Sequence, residues 1–311
     1  MKKISRKILF FGNEKLATGT STNLRIIKTL IDMDYKISAI VLPSLKSALS
    51  TQKLEIISFG LENNIPIVDF NDFQKINQII KQDDLKIALL VSFGKIIPSN
   101  ILNLFEYGII NVHPSLLPKH RGTTPIESAI LDGDTETGIS IIKLVPQMDT
   151  GPIYLKQKLD TKITNLSKQQ IVSKLDELAS NLIKKNFNKI YDQEITPKDQ
   201  NHSEATYDKM ISKKDIPFLD PSNKTAQQLI NEVRAYSGWP RSRIVIGNKE
   251  YIVTNASIKA GASVPGKIFL DHNTFGFYTL KNIFLIKTII PPGKKEMDSK
   301  NFLVGYKNKF Y

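Results

Sequence analysis

A chain of 311 residues is longer than one average domain, so two separate cores are expected. With 41% apolar and 23% charged residues it has the composition of an ordinary globular protein, and no run of eighteen apolar residues could cross a membrane as a helix. The net charge of +13 suits a polyanionic partner, while the lack of any cysteine excludes disulfides, thiolate catalysis and Cys-type metal sites and fits a cytoplasmic location.

The start, "MKKISRKILFFGNEK", has a basic head and only a short apolar stretch before Gly12 and Asn13. It reads as a first core strand rather than a secretory signal. Then "STNLRIIKTLIDMD" is helical, "YKISAIVLP" a strand, and "KLEIISFGLENN" and "FQKINQIIKQ" are helical. "KIALLVSF" is a strand, "PSNILNLF" a short helix and "GIINVH" a strand. This alternation predicts a doubly wound, mostly parallel α/β sheet of Rossmann-like type, with any ligand at the carboxyl ends of its strands. A helix "TTPIESAILDG", strands "TGISIIKLV" and "PIYLKQKL", and a long helix from about Lys168 to Ile190 follow.

The polar, proline-bearing "DQEITPKDQNHSEAT" reads as a linker. The expected division is a catalytic domain over 1–195, a linker over 196–204 and a C-terminal domain over 205–311. In the last of these, "AQQLINEVRAY" is helical and short strands follow, with Gly247-Asn248 as a hairpin turn, so a small β-barrel is expected. Residues 204–311 hold 17 Lys and Arg against 9 Asp and Glu, most of the excess charge. Of the 43 basic residues in the chain 37 are Lys, however, and a biased genome composition would produce the same excess.

Several chemistries lack their motifs. Neither G-x-G-x-x-G nor G-x-x-x-x-G-K-[ST] occurs, so no dinucleotide or nucleoside triphosphate site is indicated. With no H-E-x-x-H, and His113 and His120 seven apart in a proline-containing loop, no metal site is expected. The absence of G-x-S-x-G gives a serine hydrolase no support.

What remains is Asn111 and His113, two apart at a strand end and so on one face, and Asp149 on a turn after "TGISIIKLV". If that strand and the one ending at His113 run the same way, Asp149 lies on the same rim. An amide can donate to a developing oxyanion, an imidazole can move protons, and a carboxylate can orient the imidazole. With no nucleophilic Cys or Ser indicated, the substrate would supply the nucleophile. Each residue also has a plain structural use: His satisfying a carbonyl, Asn capping a turn, Asp stabilising one.

At these residues the chain resembles the folate-dependent formyltransferases. Their signature of Asn-x-His, Ser-Leu-Leu-Pro, Arg-Gly and Asp-x-Gly is matched by Asn111-Val112-His113, Ser115 to Pro118, Arg121-Gly122 and Asp149-Thr150-Gly151. "ATYDKMISKKD", "RAYSGWP", "VPGKI" and "PPGKKEM" resemble the tail of the methionyl-tRNA formyltransferases, which carry an OB-like C-terminal domain.

The resemblance implies transfer of a formyl group from 10-formyltetrahydrofolate to the α-amine of methionine on initiator tRNA, by a monomer without a metal. It makes Asn111, His113 and Asp149 the catalytic residues. Phe93, Gly94, Lys95, Ile96 and Ile97, with Ser115, Leu116, Leu117, Pro118, Val145 and Met148, would hold the folate. Gly12 and Asn13 would line the acceptor side, Arg241, Arg243, Lys294 and Lys295 would contact tRNA, and Arg121 would fix the loop. Where the family often has a Gly- and Arg/Lys-rich loop for the acceptor stem, this chain has "LPSLKSALSTQKLE", with only Lys46 and Lys53 as cations. Two other readings stay open: a formyltransferase acting on an amino-sugar nucleotide, and a catalytically idle tRNA-binding protein.

Overall fold

The computed structural model describes residues 6–20, 22–45, 55–208, 210, 211 and 217–306. Lys46 and Lys53, with most of the loop that carries them, lie outside the described residues, as do 209 and 212–215 of "ATYDKMISKKD". The chain divides into two compact units: 1–126, 136–162 and 169–209 form the first, and 127–135, 163–168 and 210–311 the second.

The first unit is built on a seven-stranded sheet. Its strands are β1 (Lys7–Gly12), β2 (Lys36–Leu42), β3 (Ile67–Asp69), β4 (Ile87–Val91), β5 (Gly108–His113), β6 (Gly138–Lys143) and β7 (Ile153–Lys158), in the order β3-β2-β1-β4-β5-β6-β7. β1 to β5 are parallel, as expected, whereas β6 and β7 are antiparallel. The parallel strands are buried on both faces, which is why "ILFF" and "IALLV" are unbroken apolar runs.

Helices α1 (Arg25–Asp32), α2 (Glu55–Glu62), α3 (Phe73–Asp83) and α4 (Ser99–Leu102) connect the parallel strands, and α5 (Pro125–Leu131) and α6 (Lys168–Tyr191) follow. Phe11, Phe70, Phe93 and Phe105 pack edge-to-face in a core that continues to Ile76 and Ile80 of α3. The strand order reverses at β1, which has β2 on one side and β4 on the other. Ligands of open α/β sheets bind at such a switch point, and the loops after β1 and β4 start there.

The second unit contains α7 (Ala226–Ala235), β8 (Arg243–Ile246), β9 (Lys249–Lys259), β10 (Ile268–Leu270), β11 (Phe275–Tyr278), β12 (Ile283–Ile290), β13 (Met297–Asp298) and α8 (Ser299–Tyr306). Its sheet is antiparallel, in the order β10-β11-β12-β9-β8 with β13 on β12, an OB-like half-barrel. Gly247 and Asn248 make the expected two-residue turn, with Ile246 opposite Lys249 and Gly247 at φ 60°. A Thr225–Gln228 capping box starts α7, and Phe302 of α8 stacks on Phe275 in the core.

The stretch read as a linker is not a free connector. Residues 196–204 lie within the first unit, because Gln200 is buried and fully hydrogen-bonded there.

Candidate active site

β5 is buried along its whole length, and its two-residue period puts Asn111 and His113 on one face. Asp149 reaches them by a route the sequence did not suggest. β6 runs antiparallel to β5, with Lys143 opposite Ile110 and Ser140 opposite His113, so its carboxyl end leads away from the rim. The loop 144–152 brings Asp149 back. Gln200 Nε2 holds this loop by donating to Asp149 O (2.8 Å) and Gly151 O (2.7 Å), with Asp149 in the left-handed region at φ 52°.

The three side chains converge. Asp149 Oδ2 accepts the Gly122 backbone N–H at 2.9 Å. Its Oδ1 accepts from Asn111 Nδ2 at 3.3 Å and lies 3.7 Å from His113 Nδ1. His113 Nε2 lies 2.9 Å from His120 O, and a carbonyl oxygen can only accept. The Nε2 proton is therefore fixed, and Nδ1 is the nitrogen left to exchange a proton beside the carboxylate. All three residues are more than nine-tenths buried, so their dipoles act where water screens weakly.

The residues expected around the folate divide by exposure. Phe93 and Ile97 point into the core against Phe11 and Phe70, while Gly94, Lys95 and Ile96 are exposed. Ser115, Leu117 and Pro118 are buried. Ser115 Oγ donates to Lys119 O at 2.7 Å, and Leu117 N–H donates to Ser140 Oγ at 3.0 Å. Leu116 and Val145 are half-buried and Met148 is exposed, so they present the apolar surface.

On the side expected for the acceptor, Gly12 answers to packing: a Cβ there would lie 1.8 Å from Val91 O. Asn13 Oδ1 accepts the Lys15 N–H at 3.0 Å. In the second unit Arg241, Lys294 and Lys295 are exposed, whereas Arg243 Nη1 pairs with Glu250 at 2.7 Å.

Arg121 is almost fully buried and works through side chains rather than carbonyls. Its Nε and Nη2 donate to Gln200 Oε1 (3.3 and 2.8 Å), Nη1 to Tyr207 Oη (3.0 Å) and Nη2 to His202 Nδ1 (2.8 Å). Sequence reasoning passed over Gln200, His120, Thr206 and Asp208, and also Glu14, a wholly buried carboxyl two residues past Gly12. No local pattern marks them: Gln200, Thr206 and Asp208 act on partners far along the chain, and His120 and Glu14 act through contacts that only the folded backbone creates.

The Formyl transferase model matches residues 70–187, and that for the Formyl transferase C-terminal domain matches 213–307. A methionyl-tRNA formyltransferase of Buchnera aphidicola subsp. Schizaphis graminum is 32% identical, with the match covering 100% of this chain and 98% of the relative. Among solved structures, WlaRD, a sugar 3N-formyl transferase in the presence of dTDP and 5-N-formyl-THF, superposes with a TM-score of 0.67 at 19% identity, covering 94% of this chain and 99% of the other. The methionyl-tRNA formyltransferase of Clostridium thermocellum gives 0.53 at 21% identity, covering 88% and 99%. The two structural likenesses carry the fold, and the full-length identity carries the family: this chain belongs to the folate-dependent formyltransferases.

Proposed function

We propose that this protein transfers the formyl group of 10-formyltetrahydrofolate to the α-amine of methionine on initiator tRNA, in the cytoplasm and as a monomer. The observation that carries the chemistry is the convergence of Asn111, His113 and Asp149 on one buried point. The acceptor follows the full-length relative, a methionyl-tRNA formyltransferase.

The folate supplies an activated formyl carbon. Exposed Ile96 and Met148, half-buried Leu116 and Val145, and the open space around Gly94 fit a flat ring with polar edges that backbone groups can meet. Ser115 Oγ, buried and bonded to Lys119 O, is no nucleophile, so the acceptor amine attacks directly. An α-amine titrates near roughly pH 8, so a useful fraction is neutral at pH 7. Asn111 Nδ2, through its second N–H, donates to the formyl oxygen as it gains charge, while His113, with its proton on Nε2, keeps Nδ1 available to exchange a proton with Asp149 Oδ1. Asp149 takes the amine proton, directly or through water, for return to the leaving folate nitrogen. New C–N bond, broken C–N bond and proton then balance without an enzyme-bound intermediate.

The test is formylation by the purified chain with 10-formyltetrahydrofolate and two acceptors, methionyl initiator tRNA and a dTDP-linked amino sugar. Formylmethionyl-tRNA is the expected product. Formylation of the sugar nucleotide alone would assign the acceptor to the other branch of the family, and no transfer to either would reject the catalytic reading.

A further inference from the structure

The two contacts that orient His113 and Asp149 come from one short turn. His120 O accepts from His113 Nε2, and Gly122 N–H donates to Asp149 Oδ2. This turn, 120–122, has His120 at φ 57° and Gly122 at φ 132°. For His120, a non-glycine, the left-handed region holds only when its surroundings impose it, while glycine at 122 adopts its positive φ freely.

The surroundings here are residues 206–208. Thr206 Oγ1 accepts the His120 N–H at 2.8 Å, and Thr206 O accepts the Arg121 N–H at 2.9 Å. Asp208 N–H returns to Arg121 O at 2.8 Å, so 206–208 lie along the turn like a strand, with Arg121 opposite Tyr207. Asp208 Oδ1 is 3.5 Å from His120 Nδ1, and its side chain is only 1% exposed. A Cβ on Gly122 would lie 2.9 Å from Asp208 Cβ, so the turn sits directly against this segment.

We propose that Thr206 and Asp208 are positioning residues for the reaction, an inference that rests on the function proposed above. They touch neither reactant. By locking the turn they aim His120 O at Nε2, which forces His113 into the Nε2–H form and keeps Nδ1 turned to Asp149. Thr206 is the sharper case, since its hydroxyl is the acceptor for the N–H of the residue whose carbonyl sets the tautomer. Asp208 flanks the same residue, with its carboxylate beside the His120 ring and its N–H on Arg121 O.

The experiment compares Thr206→Val, Thr206→Ser and Asp208→Asn with the parent, each as the full chain. ¹⁵N NMR of the histidine ring nitrogens, with His113 assigned through His113→Gln, gives the tautomer, and steady-state formylation gives kcat and KM. Thr206→Val should lower kcat roughly tenfold, the scale expected when catalytic groups shift slightly, with both KM values within about twofold of the parent. It should also move the His113 signals away from pure Nε2–H. Thr206→Ser, which keeps the hydroxyl, should restore both. Asp208→Asn should show the same split and serves alone if Thr206→Val fails to fold. A parent-like tautomer and kcat in Thr206→Val and Asp208→Asn, or a Thr206→Ser variant as impaired as Thr206→Val, overturns the proposal. Should the parent not formylate charged tRNA, the function above fails, while the tautomer comparison still decides the role of 206–208.

Discussion

Asp149 uses both carboxylate oxygens as acceptors, one for Gly122 N–H and one for Asn111 Nδ2. An Asn in its place has one acceptor and one donor, so whichever way the amide turns, one of these interactions becomes donor against donor. Asp149→Asn should therefore cut turnover by a factor on the order of a hundred or more, with folate affinity changed only a few-fold. Turnover within threefold of the parent in a stopped assay would reduce Asp149 to a turn residue. Arg121 predicts a structural loss as well. Its guanidinium meets Gln200, Tyr207 and His202 in three directions, and Gln200 passes the constraint to Asp149 O. A Lys ammonium cannot reproduce that fork. Arg121→Lys should cost about 2–3 kcal/mol in denaturant unfolding, because buried Gln200 loses its partners and the buried guanidinium is replaced by an ammonium that cannot meet them, and it should lower kcat too. Unchanged stability would show that the network relaxes around the smaller cation.

Helix α1 shows what an element owes to distant sequence. Its N-cap is Leu24, in the left-handed region at φ 52° and with no side-chain cap of its own. The missing acceptor comes from Glu14, whose Oε1 takes the Ile27 N–H at 2.6 Å. Burial pushes the Glu14 carboxyl up from 4.5 to about 8, against the Ile27 hydrogen bond and with the help of nearby Asp176. Burial also raises Asp176 to about 6, partly opposed by Arg25. A folded-state value above the unfolded one means the contribution is complete below pH 4.5 and is lost as pH rises through about 8. Between pH 6.5 and 8, with Asp176 already ionised, Glu14 alone should make the protein about 2 kcal/mol less stable. Glu14→Gln keeps the acceptor and removes the ionisation, so its stability should stay flat over that interval in urea titrations. A parent and variant that fall in parallel would assign the slope to another group.

Over the whole molecule, charge is the property that bears on the acceptor. Arg241, Lys294 and Lys295 are exposed in the C-terminal unit, while Arg243 is paired with Glu250. If the exposed cations meet phosphates, Lys294→Ala with Lys295→Ala should weaken binding of charged tRNA and make the logarithmic salt dependence shallower by about one unit for each phosphate no longer neutralised. Arg243→Ala should do less. Equal slopes for parent and double variant, measured by filter binding from low to moderate salt, would leave these lysines as solvated surface. Any shortened form of the chain must also keep residues up to 209, because 200–208 belong to the first unit and hold its site.

The parallel half of the sheet was legible because a strand buried on both faces must be apolar throughout, as "ILFF" and "IALLV" are, while helices betray themselves by a different period. The pairing of Asn111 with His113 was legible for the same local reason: in a strand, residues two apart share a face. Strand direction carries no such mark. "TGISIIKLV" reads alike parallel or antiparallel, and β3, only three residues long, shows no period at all. Composition also misled at 196–204, where a polar stretch looked like a linker because the partners that bury Gln200 lie 49 to 79 residues away. The sequence by itself determined which segments form the core and that Asn111 and His113 share one face of a strand, since both follow from residue type and spacing. Only the tertiary structure decided how Asp149 reaches the rim and which nitrogen of His113 faces it. Those depend on hydrogen bonds closed between segments far apart in the chain.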